Sequence, residues 1–292
     1  MRYNKILFTG LTLASIALLT ACGGGERREV IQNKGSDTLV NVAQAWAENY
    51  QTVNPNVVVA VSGGGSGTGI AALINGTVDI ANASRAIKDK ELQQAKDNGQ
   101  NPIQHTVGFD ALAVFLHADN PLDEISLEQL RQIYGDGGTF LSWTDLGVEV
   151  PGCQGQEIVV VSRQNNSGTY AYFREAVLGD SDFKLGTRDM HGSKDVVDLV
   201  EKTPCAIGYS GLAYATDHLK LACVKSGSGS CVNPSVDSAL DGSYPIARPL
   251  FMYTNGEPTG SVGDYLNWIK SEEGQCIILE KGYAPSIDVS CS

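Results

Sequence analysis

Two hydrophobic rhythms alternate along this chain. Leu39, Val42, Ala43, Trp46, Ala47 and Tyr50 recur at spacings of three and four, predicting a helix behind a short strand at Val30–Asn33. Val57–Val61 is an unbroken apolar run, the pattern of a strand buried on both faces. A short helix over Ile70–Ile74 and a strand over Val78–Ala81 follow, and Val107–His117 reads as one long strand-like stretch. Ile158–Val161 is a further buried strand, succeeded by a helix from Gly168 to Leu178. Ala206–Tyr209 and Pro249–Tyr253 are later strands, with helices near Val262–Ser271 and Gln275–Lys281. Strands alternating with helices predict an α/β fold.

The amino terminus breaks this rhythm. Arg2 and Lys5 precede an apolar run, Ile6–Thr20, that is too short for a comfortable membrane span and reads as a signal peptide over residues 1–21. Leu19-Thr20-Ala21-Cys22 resembles a bacterial lipobox, which makes Cys22 the lipidated residue of the mature chain. A plain signal peptide with a chance cysteine is the alternative. Residues 22–29, opening with three glycines, form a flexible tether. Gly23 after the cysteine fits outer-membrane sorting if the host is Gram-negative; otherwise the expected place is the periplasm or cell surface.

At 292 residues the chain has room for about two domains. It carries 33 acidic and 21 basic residues, a net charge of −12, which argues against nucleic acid as a partner. Any anion must therefore be held by local geometry rather than by overall attraction. Of seven cysteines, Cys22 is assigned to lipid, and six remain, an even number suited to disulfides in an exported protein. Cys223 and Cys231 flank the turn-rich Lys225–Ser230 and are paired first. With no CxxC pair and only four histidines, a metal site is not expected.

Three segments share one local grammar of glycine and small hydroxyl residues opening a predicted helix. They are Gly35-Ser36-Asp37-Thr38, Ser62 to Gly69, and Arg163 to Thr169. A helix start offers free N–H groups and the positive end of its dipole, and hydroxyls add donors without charge. One such turn alone is explained by helix capping; three, one led by Arg163 four residues before Ser167, point equally to an oxyanion. The guanidinium of Arg163 could fork onto two oxygens, and Arg85 is a second candidate. Asp37 fits either as an acceptor for a protonated oxyanion or as a plain cap. The glycine run is neither a P-loop nor a dinucleotide fingerprint. No serine elbow or HExxH motif is present, so no catalytic residue is assigned and no cofactor is implied.

These words together resemble the periplasmic phosphate-binding lipoproteins of bacterial ABC-type phosphate uptake. The resemblance spans about residues 29–285 and rests on Lys34–Thr38, Gly64–Gly67, Asp79–Arg85, Gly108–Val114, Arg163–Thr169 and Ala206–Tyr209. It implies a two-lobe (type II) binding-protein fold whose lobes are joined by two crossing strands, near Ala111–Val114 and Ile246–Leu250. Residues 30–112 and 247–292 then form lobe I, and 113–246 lobe II. Cys153–Cys205 falls in lobe II and Cys276–Cys291 in lobe I. Carried over, Ser36, Asp37, Thr38 and Ser66 bind phosphate from lobe I, and Arg163, Ser167, Gly168 and Thr169 from lobe II, with Gly65 and Asp110 secondary. Relatives often place an acidic proton acceptor where this chain has Arg85. The expectation here is that Asp37 takes that role, with Arg85 partly neutralising it. The implied function is capture of inorganic phosphate by a lipid-anchored monomer and delivery to ABC permease subunits. Other tetrahedral oxyanions (arsenate, sulfate, molybdate), an exported phosphatase and an adhesion lipoprotein are the rival readings.

Overall fold

The computed structural model describes residues 28–291, so the predicted signal peptide and Cys22 lie outside the described residues. The chain opens with β1 (Glu29–Gly35), a 3-10 turn at Asp37–Leu39, α1 (Val40–Val53), β2 (Val57–Ser62), α2 (Ser66–Ile74), β3 (Ile80–Ala83), α3 (Asp89–Asp97) and β4 (Pro102–His117). It continues through β5 (Glu124–Ser126), α4 (Leu127–Tyr134), β6 (Val159–Arg163), α5 (Gly168–Ala176), β7 (Arg188–Met190), α6 (Ser193–Glu201) and β8 (Ala206–Gly211). Then come β9 (Leu219–Lys225), β10 (Cys231–Val232), α7 (Val236–Leu240), β11 (Ala247–Asn255), α8 (Gly260–Ile269) and α9 (Glu272–Glu280).

The strands run in the order β2-β1-β3-β11-β4-β8-β6-β7, with β9 branching from β4. β4 divides this path. From Pro102 to Ala111 it pairs antiparallel with β11, and from Leu112 onward it pairs with β8 and β9. The returning chain meets it there, where the Leu112 N–H donates to the Ile246 carbonyl at 3.1 Å. Two lobes follow from this switch of partners. One core gathers Trp46, Tyr50, Tyr265 and Trp268 with the apolar faces of β1–β3 and β11. The other gathers Tyr134, Phe173 and Tyr209 with the second half of β4, β6, β8 and β9. Phe173 stacks on Tyr209 at a 3.9 Å centroid separation, an offset aromatic contact that fixes α5 over its sheet.

Most expected elements are present with shifted ends. β4 begins five residues earlier than expected, because β11 supplies a pairing partner back to Asn255. Helix α3 was not expected: its sequence is polar and Ala95 is its one buried residue, so it has no apolar stripe to read. Helices α4 and α6 were also not expected; each is under ten residues long. Three disulfides join Cys153 to Cys205, Cys223 to Cys231 and Cys276 to Cys291, the same pairs named from the sequence.

Candidate anion-binding site

β1 is flanked by β2 and β3, both parallel to it, so their carboxyl ends lie at one edge. β6 is likewise parallel to β7 and β8. Ligands of α/β sheets sit beyond such carboxyl ends. The turns after β1, β2, β3 and β6 all face one cleft between the lobes.

There the hydroxyls meet. Thr38 Oγ1 lies 3.0 Å from Thr169 Oγ1 across 131 residues of sequence. Ser36 Oγ donates to Ser84 Oγ at 2.8 Å, and Ser66 Oγ is 3.4 Å from the same atom. Ser66 Oγ also accepts the Ser84 N–H at 3.0 Å. The lobes touch through backbone as well: the Gly67 N–H donates to the Asn166 carbonyl at 3.0 Å, and Asn166 Nδ2 to the Gly64 carbonyl at 2.9 Å. Two glycines permit this approach. A Cβ on Gly168 would stand 2.2 Å from Ser66 Oγ, and one on Gly65 (φ +90°) 2.6 Å from the Asn166 carbonyl oxygen.

Capping and convergence coexist. Ser167 Oγ accepts the N–H of Thr169 and of Tyr170, so it is the N-cap of α5, and its one O–H remains a donor beyond the cap. Ser36 and Gly65, at the other two helix starts, make no side-chain cap, and the Gly67 N–H in the first turn of α2 instead donates across to the Asn166 carbonyl.

Arg163 is fully buried. Nε donates to the Met190 carbonyl, Nη1 to Ser193 Oγ, and Nη2 to the His191 carbonyl and to Asp37 Oδ2, the last at 3.3 Å. Burial lowers the pKa of this guanidinium, and Asp37 opposes that shift. Asp37 holds its other oxygen on the Gly64 N–H at 3.0 Å. The partner that neutralises Asp37 is therefore Arg163 from the opposite lobe. Arg85, expected in that role, is instead clasped by Glu91 through two bonds of 2.7 and 2.8 Å and donates to the Ala86 carbonyl. The physical reason is local: Glu91 sits in the first turn of α3, three residues after Lys88 and six after Arg85, with a fork that matches the guanidinium. Burial pushes the Glu91 carboxyl up, but Arg85 and the Lys88 N–H outweigh it and leave it below the usual range.

Asp110 is buried and bonded to protein partners. Its Oδ2 takes two bonds from Arg248, at 3.1 and 2.8 Å, and Oδ1 takes the Leu212 N–H. Burial raises its pKa and Arg248 opposes that. Arg248 and Ser84 were missed by sequence reasoning. Ser84 stood inside a recognised word, one residue before Arg85. Arg248 is a lone cation at the head of an apolar strand, Ala247–Asn255, and that isolation was its only mark.

Similarity to known proteins agrees with this geometry. The sequence model of the PBP superfamily domain matches residues 21–273. The phosphate-binding protein PstS of Pseudomonas aeruginosa is 34% identical over 87% of this chain and 82% of its own length. That of Bacillus subtilis is 30% identical over 99% of this chain and 96% of its own. The chain belongs to the PstS family of phosphate-binding proteins. Among solved structures it is similar to a phosphate ABC transporter substrate-binding protein from Clostridium perfringens with bound phosphate, at TM-score 0.78 and 28% identity, covering 89% of this chain and all of that one. An ABC-type phosphate transport receptor from Vibrio cholerae matches at TM-score 0.68 and 26% identity, over 87% and 99% of the two chains. Within this PstS-family chain the described residues bring together one potential metal-ligand trio, Glu124, Cys223 and Cys231, and its two sulfurs are joined in a disulfide.

Proposed function

We propose that this chain is the receptor of an ABC phosphate uptake system: it binds inorganic phosphate between its lobes outside the inner membrane and delivers it to the permease. The observation that carries the ligand assignment is the meeting of Thr38 and Thr169, with Ser36, Ser66 and Ser84 beside them, at one cleft. Neutral donors from both sides suit a small multivalent anion in an acidic protein. Ser36, Thr38, Ser66, Ser167 and Thr169 supply hydroxyls, Gly65 and Gly168 supply close backbone, and Arg163 supplies charge. Asp37 accepts the proton of a protonated phosphate, which fully ionised sulfate lacks. Arg85 stands beside Gly67 at the rim with its charge matched by Glu91.

In the same proposal lobe I comprises residues 30–112 and 247–292, and lobe II residues 113–246. Cys22 carries the lipid, and the mature protein is a monomer. It acts as a binder rather than a catalyst, as the names of its relatives suggest. Calorimetric titration of the mature chain with phosphate, arsenate, sulfate and molybdate tests the assignment, together with mass spectrometry of any anion retained on purification. Saturable one-to-one phosphate binding with sulfate excluded is the expected result. Binding of sulfate or molybdate but not phosphate would overturn it.

A further inference from the structure

Arg248 occupies an unusual place. It lies on β11 directly opposite Asp110 on β4, in the stretch where both strands pass between the lobes. It is 2% exposed. Nε and Nη2 bind Asp110 Oδ2, and Nη1 donates to the Ser84 carbonyl at 3.3 Å. Nη2 also reaches Thr38 Oγ1 at 3.3 Å and Thr169 Oγ1 at 3.1 Å. The guanidinium carbon stands 5.5 Å from the centre of the Tyr172 ring, one turn further along α5. One cation on the strand crossing thus touches lobe I, lobe II and both connecting strands.

A purely structural ion pair needs none of this. Asp110 alone neutralises Arg248, and a buried pair returns little net stability for its desolvation. What the remaining donors do is set the direction of two hydroxyls. A threonine hydroxyl has one proton and two lone pairs. Thr38 Oγ1 and Thr169 Oγ1 share the Nη2 of Arg248 and lie 3.0 Å apart, so one hydroxyl donates to the other, and the accepting hydroxyl, its lone pairs toward the crossing occupied, keeps its proton to give away from it. The site's buried charges, Arg163 with Asp37 and Arg248 with Asp110, also balance. Donor direction, rather than net charge, then decides how well an anion is held.

We infer that Arg248 is a positioning residue for the anion: anchored by Asp110 at the strand crossing, it orients the linked hydroxyls of Thr38 and Thr169 so that the pair presents a donor to the anion, and does so only when the lobes are together. The contacts to Thr169 and Tyr172 belong to lobe II and those to Thr38 and Ser84 to lobe I, so opening the cleft separates them. Closure and donor alignment are one event, and their loss falls mainly on the dissociation rate. This rests on the phosphate reading above.

The test is stopped-flow and calorimetric phosphate binding by the mature wild-type chain, Arg248→Lys, and the charge-balanced pair Asp110→Asn with Arg248→Gln. Small-angle scattering with and without phosphate reports closure, and thermal melting reports folding. Arg248→Lys keeps the charge beside Asp110 but loses the planar guanidinium that holds Asp110 through Nε while Nη2 reaches the threonines. It should release phosphate roughly 10-fold faster with little change in association rate. The double variant should release it roughly 100-fold faster and close less completely, while retaining a cooperative melt. A wild-type chain that binds no phosphate sinks the functional reading and this inference together. A wild-type chain that binds, beside an Arg248→Lys protein with unchanged release and closure, sinks the inference alone. Should the double variant fail to fold, Arg248→Lys decides the matter by itself.

Discussion

Thr38 Oγ1 and Thr169 Oγ1 stand 3.0 Å apart, one contributed by each lobe. A single anion placed beside them would be read by both lobes at once. Thr169→Val keeps the shape of the side chain and removes its donor. Phosphate affinity should fall roughly 10- to 100-fold, the worth of a hydrogen bond to a charged group, while the melting temperature stays close to wild type. Calorimetry and thermal melting on the same samples check both halves. Unchanged affinity would remove Thr169 from the site.

Asp37 faces Arg163 at 3.3 Å and accepts the Gly64 N–H. Asp37→Asn keeps the acceptor for Gly64 and loses the anionic oxygen that a protonated phosphate requires. The ratio of phosphate to sulfate affinity should drop by roughly tenfold or more. Competition titration measures that ratio directly. An Asp37→Asn protein that still excludes sulfate as wild type does would move the acceptor role elsewhere.

Cys153 and Cys205 close a loop of 52 residues, Cys223 and Cys231 one of 8. In the chain-entropy account the longer loop constrains the unfolded state more, by about 4 against about 2.5 kcal/mol. Replacing Cys153 and Cys205 by alanine should therefore lower the denaturation midpoint more than replacing Cys223 and Cys231. Urea unfolding of the two double variants gives the order, and the reverse order would count against the entropic account here.

His105 is buried between Thr254, which meets Nε2 at 2.8 Å, and Lys270, whose ammonium lies 3.3 Å from Nδ1. Burial and then Lys270 push its pKa below the usual histidine value, with Glu257 opposing. The unfolded chain then takes up a proton that the folded chain resists. Stability is full above the unfolded value of about 6.5 and declines as pH falls below it. Urea unfolding at pH 7.5 and pH 5.5 should show a smaller acid loss in His105→Gln than in wild type. Equal losses would show that His105 does not set this limb.

The hydrophobic rhythm made β1, α1, β2 and the start of α5 legible, because each buries a face whose period survives in a short window of sequence. α3 was hidden for the opposite reason, since a helix with one buried residue leaves no pattern. The glycine–hydroxyl words announced anion-suited turns for a similar reason: helix starts are local chemistry. The sequence by itself determined the α/β alternation, the candidate hydroxyls and the guanidinium at Arg163. Only the tertiary structure decided their company. It turned Arg85 to Glu91 six residues away, gave Asp37 to Arg163 across 126 residues, and joined Arg248 to Asp110 across 138. Those pairings depend on strand order and on where β4 and β11 cross, and such long-range register is set by the packing of whole lobes, not by any stretch of chain that a local pattern can reveal.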